Sequence, residues 1–363
     1  MRTPLSSLLR TVAALSIGLF ASSGQSAPLI DDRAITVHSA HDVAEKRRAL
    51  IQYLWGPEGF PARRLPNVVL TNVPSPVNQL TNLARVDEFR IDMAPGLQGL
   101  SYHFIPERPN RELVVVHHGH GCTLDDHPGP ADVGFGLQRT IQALLREGYA
   151  VLGVFMPHMR PGDCTGGHDA MFQMIIVTGS PIRLFLEPTA ISLNHLKTQS
   201  GPGHFPSYRA FHIVGLSGGG WTTTVYAAID PTIRHSFPVA GTIPLHLRSG
   251  GSIGDREQFE SSFYRIAGYP DLYILGAHGR GRKQVQILNR RDDCCFGQAQ
   301  HDEKQTGLPY AEAMREYEHR VVGALKQIGS GLFGLEIDET APSHMISHWA
   351  IEKVILPELR IAR

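Results

Sequence analysis

The sequence predicts an α/β fold with a mostly parallel central sheet and helices on both of its faces. Short apolar segments rich in valine, isoleucine and leucine recur along the chain, and segments with helical periodicity lie between them. Continuous apolar runs are typical of parallel strands that are buried on both faces. Because strands and helices alternate over 363 residues, we expect the helices to cover both faces of one sheet.

Eight apolar segments are predicted as strands, and they begin at Val86, Leu100, Glu112, Tyr149, Phe211, Ser236, Gln284 and Leu332. Six helical patterns begin at His41, Phe135, Glu187, Trp221, Leu308 and Ser347. The first two strands are close in sequence and alternate polar with apolar residues, which favours an antiparallel edge of the sheet.

The N-terminal residues 1–27 have the pattern of an export signal. Arg2 and Arg10 precede an apolar stretch over 11–20, and small residues follow it. We therefore expect a secreted or periplasmic protein that is cleaved within 23–27. The alternative, a retained membrane anchor, is disfavoured because the stretch is short for a bilayer, and no stable membrane insertion is predicted elsewhere.

The rest of the chain is predicted to form one main domain with two additions. Residues 28–85 are interpreted as an N-terminal extension packed on an α/β domain that spans 86–363. A long irregular insertion, at about 244–270, separates two core strands. An insertion of this length in a compact domain is typical of a lid or a pocket wall.

Charge and cysteine content limit the possible partners. Lysine plus arginine number 34 and aspartate plus glutamate number 34, so no basic field indicates nucleic acid.

Export permits disulfides, and we favour Cys122 with Cys164 because both follow strands that are predicted to be neighbours. Free thiols, or a bridge involving the adjacent Cys294 and Cys295, remain open. The cysteine spacing matches no paired zinc motif.

The stretch GLSGG, residues 215–219, carries the clearest chemical signal. It follows a predicted strand and precedes a predicted helix, which is the context of the G-x-S-x-G turn. Such a turn points the hydroxyl of Ser217 towards a substrate, and glycines avoid collisions with the neighbouring strand and helix. A phosphate loop would need a lysine that is absent, and the G-x-G-x-x-G dinucleotide pattern fails at Thr223.

A serine hydroxyl needs a base, and the base needs an acid that orients it. In a parallel sheet both are expected in loops after later strands. One such loop offers Asp292 and Asp293, and the loop after the last strand offers His344 and His348. The order serine, aspartate, histidine is therefore available along the chain.

From about Val86 onwards the sequence resembles exported serine esterases of the α/β-hydrolase family. The resemblance rests on GLSGG, on HHGHG after an early strand, on the acid-bearing loop and on SHMIS before the last helix. It implies that His344 is the base, since family members carry a similar H-x-I-S pattern, and that His348 packs in the helix. Through its spacing from the strand it implies Asp293 as the acid, with Asp292 as the alternative.

The resemblance also implies an oxyanion hole and a pocket. In related enzymes an HG-x segment supplies one backbone N–H donor, and here it corresponds to His118, Gly119 and the donor His120. The second donor is Gly218, which follows the serine. The residues expected to line the pocket are His118, Gly119, His158 and Trp221.

Together these residues predict a serine hydrolase acting on carboxylic esters of a small molecule, a carbohydrate or a polyester. No metal or organic cofactor is expected, and a metal cluster of His117, His118 and His120 is disfavoured because histidines so close in sequence rarely surround one ion. The alternatives are a serine peptidase of the same fold and a non-catalytic binding protein that keeps the fold. The motifs leave the substrate and the oligomeric state open.

Overall fold

The computed structural model describes residues 30–126, 134–198, 207–248 and 253–361. The export signal predicted at 1–27 lies outside the described residues, as does a short part of the insertion predicted at about 244–270. Within the described ranges, no helix combines the length and the apolar character that crossing a bilayer requires.

The strands in chain order are β1 (Val68–Leu70), β2 (Leu83–Ala94), β3 (Leu97–Pro106), β4 (Glu112–His117), β5 (Ala150–Val154), β6 (Met159–Arg160), β7 (Asp163–Cys164), β8 (Ala210–Leu216), β9 (Ile233–Val239), β10 (Lys283–Asn289) and β11 (Leu332–Asp338). Nine of them form one sheet in the order β1-β2-β3-β5-β4-β8-β9-β10-β11, and β6 pairs with β7 in a separate ribbon.

The sheet is mostly parallel, as predicted. Strands β5, β4, β8, β9, β10 and β11 pair in parallel, whereas β1, β2 and β3 form an antiparallel edge that joins the parallel part at β5. All eight predicted strands are present. The sequence does not predict β1 or the ribbon, because runs of 3 and 2 residues are too short for a periodicity signal.

The α-helices are α1 (Ala40–Trp55), α2 (Leu137–Arg146), α3 (His168–Met174), α4 (Arg183–Thr198), α5 (Gly218–Ile229), α6 (Ser261–Tyr264), α7 (Tyr269–Ala277), α8 (Glu303–Thr306), α9 (Tyr310–Ile328) and α10 (Leu356–Ile361). A π-helical segment, Ala350–Ile355, leads directly into α10.

Alternate residues of β4 show that both faces of the sheet are covered. Leu113 and Val115 pack into one core, which includes side chains of α1, α4, α5, α7 and α9. Val114 and Val116 pack into a second core, which includes side chains of α2 and α10. Residues i and i+2 of a strand share a face, so the two cores lie on opposite sides of the sheet. The predicted layer arrangement is confirmed.

The N-terminal segment before β1 packs on the sheet domain through α1 and through one carboxylate. Leu50 and Leu54 of α1 are fully buried. The Asp32 carboxylate accepts hydrogen bonds from the backbone N–H groups of Leu245 (2.8 Å) and His246 (3.1 Å) and from Nδ1 of His246 (2.8 Å). These bonds connect the N-terminal segment to the first residues of the insertion.

Candidate active site

Ser217 lies on a sharp turn between β8 and α5. Its φ of 60° and ψ of −127° place it outside the backbone regions that residues with a side chain ordinarily occupy. Its N–H donates to the carbonyl of Val239 on β9 (3.0 Å), and its carbonyl accepts from the N–H of Trp221 in α5 (2.9 Å). The strained conformation is thus held from both sides, which is how such strain persists in a folded protein.

Two glycines of the turn are explained by the close approach of neighbouring backbone. A Cβ on Gly215 would collide with the carbonyl oxygen of Gly219, and a Cβ on Gly219 would collide with the carbonyl oxygen of His117. The expectation that side chains would clash here with the adjacent strand and helix is confirmed. The glycines allow the strand to turn directly into the helix with Ser217 at the corner.

His344 follows β11, and its ring is held by a buried carboxylate. Nδ1 of His344 lies 2.6 Å from Oδ2 of Asp292, whose side chain is 0% exposed. The His344 side chain is 13% exposed and lines the same cavity as Ser217. A histidine that donates from Nδ1 to a carboxylate keeps Nε2 for proton exchange with a substrate or a hydroxyl group.

The acid beside His344 is Asp292, so the expectation of Asp293 is wrong by one residue. The Asp293 side chain is exposed, and its backbone carbonyl accepts a hydrogen bond from Nε2 of Gln300 (2.7 Å). Asp292 is the alternative that the sequence leaves open.

Local hydrogen bonds turn Asp292 towards the site. Its N–H donates to the carbonyl of Asn289 at the end of β10 (3.2 Å). Its Oδ1 accepts the backbone N–H groups of Cys294 and Cys295, each at 2.9 Å. One carboxylate oxygen is therefore held by the loop, and the other faces the imidazole. Because these bonds depend on the backbone of the turn, residue spacing does not distinguish two adjacent aspartates.

The loop after β4 brings Gly119 against the serine turn. The N–H of His118 donates to the carbonyl of Val154 (2.9 Å), which holds the start of the loop. A Cβ on Gly119 would lie 2.6 Å from Cβ of Ser217, so only glycine permits this approach. Helix α5 begins at Gly218, so its first N–H groups and its positive dipole end lie beside Ser217. The side chain of Ser217 does not cap these N–H groups.

The cavity that Ser217 and His344 line has a volume of about 500 Å³. His118 and Gly119, two of the residues expected in the pocket, also line it, and so does His120, which is expected as an oxyanion donor. Burial lowers the pKa of His118 to about 3, so its ring is neutral at pH 7. A cavity of this size accommodates a small molecule or one end of a larger one.

Two residues expected in the pocket lie elsewhere, so the expectations for Trp221 and His158 are wrong. Trp221 is fully buried, and its Nε1 donates to the hydroxyl of Tyr264 (2.7 Å). It lies on the first turn of α5, where the helix packs into the core. His158 contacts Asp163 of the ribbon through Nδ1 (3.1 Å). Neither Trp221 nor His158 is among the described residues that line the cavity.

The cavity wall also includes residues for which the sequence predicts no role in the pocket. Asp255 and Gln258 come from the insertion, Cys295 and Phe296 from the loop that carries the acid, and Phe135 from the segment before α2. The length of the insertion signals a pocket wall. No motif marks its individual residues.

All four cysteines are paired. Cys122 and Cys164 form the predicted disulfide, which connects the loop after β4 to the ribbon. Cys294 and Cys295 are bonded to each other, which is one of the alternatives that the sequence leaves open. Both residues of this adjacent pair line the cavity.

No family model and no curated protein matches the chain. Among solved structures, acetyl xylan esterase 1 from Thermoanaerobacterium sp. is 12% identical with a TM-score of 0.52, and the match covers 90% of this chain and 95% of that one.

Two acylaminoacyl peptidase structures are similar to the same degree. One, in complex with Z-Gly-Gly-Phe-chloromethyl ketone, is 14% identical with a TM-score of 0.51. The other, from Pyrococcus horikoshii, is 13% identical with a TM-score of 0.51. Both matches cover 78% of this chain and 42% of the peptidase, so the chain spans less than half of the length of these peptidases. With the strand order described above, these likenesses show that the chain has the α/β-hydrolase fold, as predicted.

Proposed function

We propose that the protein is a serine hydrolase that cleaves carboxylic esters through a covalent acyl-enzyme intermediate. Ser217 is the nucleophile, His344 the general base and Asp292 the acid that orients it. The observation that carries the proposal is the geometry of His344. Its Nδ1 is 2.6 Å from a fully buried carboxylate, and its ring lines the same cavity as the strained Ser217.

In the proposed reaction Oγ of Ser217 attacks the acyl carbonyl while Nε2 of His344 takes its proton. Asp292 stabilises the imidazolium that forms. The tetrahedral intermediate then collapses, the C–O bond to the alcohol breaks, and His344 returns the proton to the alcohol oxygen. A water molecule, deprotonated by His344, attacks the acyl-enzyme and releases the carboxylic acid and free Ser217.

The negative oxygen of the tetrahedral intermediate needs donors that are already in place. We propose the backbone N–H groups of Gly218 and His120 for this role. Two observations support it. Gly218 is the first residue of α5, and Gly119, which precedes His120, lies against Ser217. Preorganised donors of this type commonly contribute about 3 kcal/mol each to catalysis.

The proposed substrate is an ester of a small molecule, a carbohydrate or a polyester. The structural neighbours include an acetyl xylan esterase and acylaminoacyl peptidases, so peptide cleavage is the second candidate. The ester proposal rests on the motifs shared with serine esterases, and the triad chemistry itself serves both reactions.

Hydrolysis of p-nitrophenyl acetate by the purified protein and by Ser217→Ala tests the proposal. We expect the variant to lose about 10⁴-fold or more in kcat, because its hydroxyl nucleophile is gone. A fluorophosphonate probe should label the wild-type protein and not the variant. Equal rates together with equal labelling would exclude Ser217 as the nucleophile. A panel of esters and N-acylated peptides then distinguishes the two candidate substrates.

We also propose that the protein acts outside the cytoplasm. The export pattern at 1–27 and the pairing of all four cysteines support this location, since disulfides persist in oxidising compartments. Mass spectrometry of the native protein should find an N terminus within 23–27 in the exported fraction. An intact residue 1 on protein recovered from the cytoplasm would contradict it.

A further inference from the structure

Four side chains of metal-ligand type converge beside the cavity from three separate segments. His120 follows β4, His168 opens α3, and Asp255 and Glu257 belong to the insertion. Their donor atoms all lie within 4.8 Å of one another. This group, which we call the histidine–carboxylate cluster, does not include His117 or His118, so it differs from the histidine cluster disfavoured by the sequence.

Glu257 is the least satisfied member of the cluster. Its side chain is 0% exposed, and neither carboxylate oxygen has a hydrogen-bond partner among the described residues. The side chain facing it is His168, whose Nδ1 lies 3.4 Å from Oε1. A buried carboxylate without hydrogen bonds is costly unless a positive charge compensates it. The buried carboxylate therefore calls for a positive charge beside it, which either a protonated His168 or a bound metal ion supplies.

His168 is oriented as metal-binding histidines commonly are. Its Nε2 lies 3.2 Å from the carbonyl oxygen of Pro157, and a carbonyl can only accept, so the ring N–H is on Nε2. Nδ1 therefore faces Glu257. Burial lowers the pKa of His168, but Glu257 outweighs this and raises it, so without a metal a proton on Nδ1 is favoured, and a bound cation would displace that proton to use the Nδ1 lone pair. Donation from the second ring nitrogen to a backbone carbonyl is the usual support of a histidine ligand. On the other side of the cluster, Nε2 of His120 lies 3.2 Å from Oδ2 of Asp255.

We propose that His120, His168, Asp255 and Glu257 bind one divalent cation and that their donors fit Zn²⁺ best. Two imidazole nitrogens and two carboxylate oxygens are donors that zinc takes in a tetrahedral site, whereas Mg²⁺ and Ca²⁺ prefer oxygen ligands alone. His120 and Asp255 are 39% and 46% exposed and line the cavity, which gives the ion an entry path.

The bound cation would be coordinated by side chains of the insertion, of the loop after β4 and of α3 together. It replaces two separate histidine–carboxylate contacts with one centre that all three segments share. The ion therefore stabilises the fold around the cavity mouth. The ligands include none of the triad residues, although the backbone N–H of His120 is also proposed for the oxyanion hole. The experiments below measure Zn²⁺ binding, so their outcome does not depend on whether the proposed ester hydrolysis is correct.

Calorimetric titration of the chelator-treated full chain with ZnCl₂ alone tests the site. We expect one equivalent of Zn²⁺ to bind and to raise the melting temperature. His168→Ala and Glu257→Gln should each weaken binding by at least about tenfold, because each removes a ligand. Glu257→Gln also removes a buried charge without a hydrogen bond, so we expect it to fold, and circular dichroism checks that it does.

Two variants serve as controls. His158→Ala removes a histidine that contacts a carboxylate outside the cluster, and it should bind Zn²⁺ as the wild type does. His344→Ala tests the other group with metal-ligand atoms in range, formed by Cys294, Cys295 and His344. Binding that persists in His344→Ala and is weakened in the cluster variants supports the proposal. Absence of binding at micromolar Zn²⁺, loss of binding in His344→Ala, or wild-type affinity in both cluster variants would overturn it.

Discussion

One hydrogen bond to the His344 ring distinguishes the two adjacent aspartates as candidate acids. Asp292→Asn keeps the size of the side chain but removes its charge and one of its two acceptor oxygens. With the amide oxygen held by the N–H groups of Cys294 and Cys295, the NH₂ group faces Nδ1 of His344 and favours the wrong tautomer. We expect kcat for p-nitrophenyl acetate to fall about 10⁴-fold with little change in KM.

Asp293→Asn is the matched control for that prediction. It makes the same chemical change one residue further on, at an exposed side chain. Steady-state rates within about twofold of the wild type are expected, as for most surface substitutions. A large loss in Asp293→Asn with normal rates in Asp292→Asn would return the acid role to Asp293.

Ser217 and His344 could be proposed from sequence because local motifs mark both. The glycines around Ser217 report the close approach of backbone that the turn requires. Asp292 could not be separated from its neighbour, because its direction depends on hydrogen bonds from two later N–H groups. The expectation for Trp221 is wrong for a similar reason, because helix packing decides which side of α5 faces the core.

Among the loops, the one after β4 is the most sensitive to side-chain size. In Gly119→Ala the new Cβ would lie 2.6 Å from Cβ of Ser217 and 2.7 Å from the carbonyl oxygen of Leu216. The loop and the serine turn would have to separate, and a displacement of this order costs about 10²-fold in kcat. Gly323→Ala, on α9 with nothing within 4 Å, is the control and should leave kcat unchanged. Equal kcat in the two variants would contradict the proposed role of this loop.

The N-terminal segment is predicted to stabilise the insertion through Asp32. Although burial raises the pKa of Asp32, its hydrogen bonds with His246 and Leu245 outweigh this and lower the pKa. Asp32→Ala leaves these donors without their acceptor. We expect the free energy of unfolding in urea to fall by about 2–3 kcal/mol, with faster amide hydrogen exchange at 245–248.

Asp31→Ala is the control for Asp32→Ala. Asp31 is 65% exposed in its side chain and bonds to the nearby Arg33 alone among the described residues. Its removal should change the free energy of unfolding by less than about 0.5 kcal/mol. Equal effects of the two substitutions would show that the contact with the insertion does not stabilise the fold.

Strands were easier to predict than loops for a physical reason. A strand that is buried on both faces is mostly apolar, as β4 and β8 are, and that signal is visible in sequence. The insertion has no such periodicity, so its length could be interpreted but the convergence of Asp255 and Glu257 with His120 could not. Contacts of that kind depend on how the loops fold over the sheet.

The topology of the whole molecule assembles the proposed triad. Ser217, Asp292 and His344 are far apart in sequence, but they follow β8, β10 and β11, which run parallel in one sheet. The carboxyl ends of parallel strands lie at the same edge, so residues after each of them meet there. The fold class therefore predicts which loops meet, and the loop conformations decide which side chains touch.

Buried neutral histidines predict that the molecule loses stability on mild acidification. Burial, assisted by the neighbouring His212, lowers the pKa of His235 to about 3, and burial also lowers the pKa of His103. Unfolded histidine titrates at about pH 6.5, so below that value the unfolded chain binds more protons than the folded one. The contribution of His235 is fully present above about pH 6.5 and is lost as the pH falls towards its folded pKa of about 3, by on the order of 1 kcal/mol per pH unit. The contribution of His103 is lost in the same direction.

Urea unfolding between pH 7 and about pH 4.5 measures this loss. The window lies between the pKa of unfolded histidine, about 6.5, and the pKa of about 3 that His235 has in the folded chain. In His235→Gln the slope of the free energy of unfolding against pH should be smaller by the contribution of one bound proton, because the side chain that gains a proton on unfolding is gone. The control His41→Gln replaces a histidine whose side chain is 78% exposed, and it should keep the wild-type slope. Parallel slopes for wild type and His235→Gln would mean that His235 is protonated in the folded chain, which its packing within the sheet makes unfavourable.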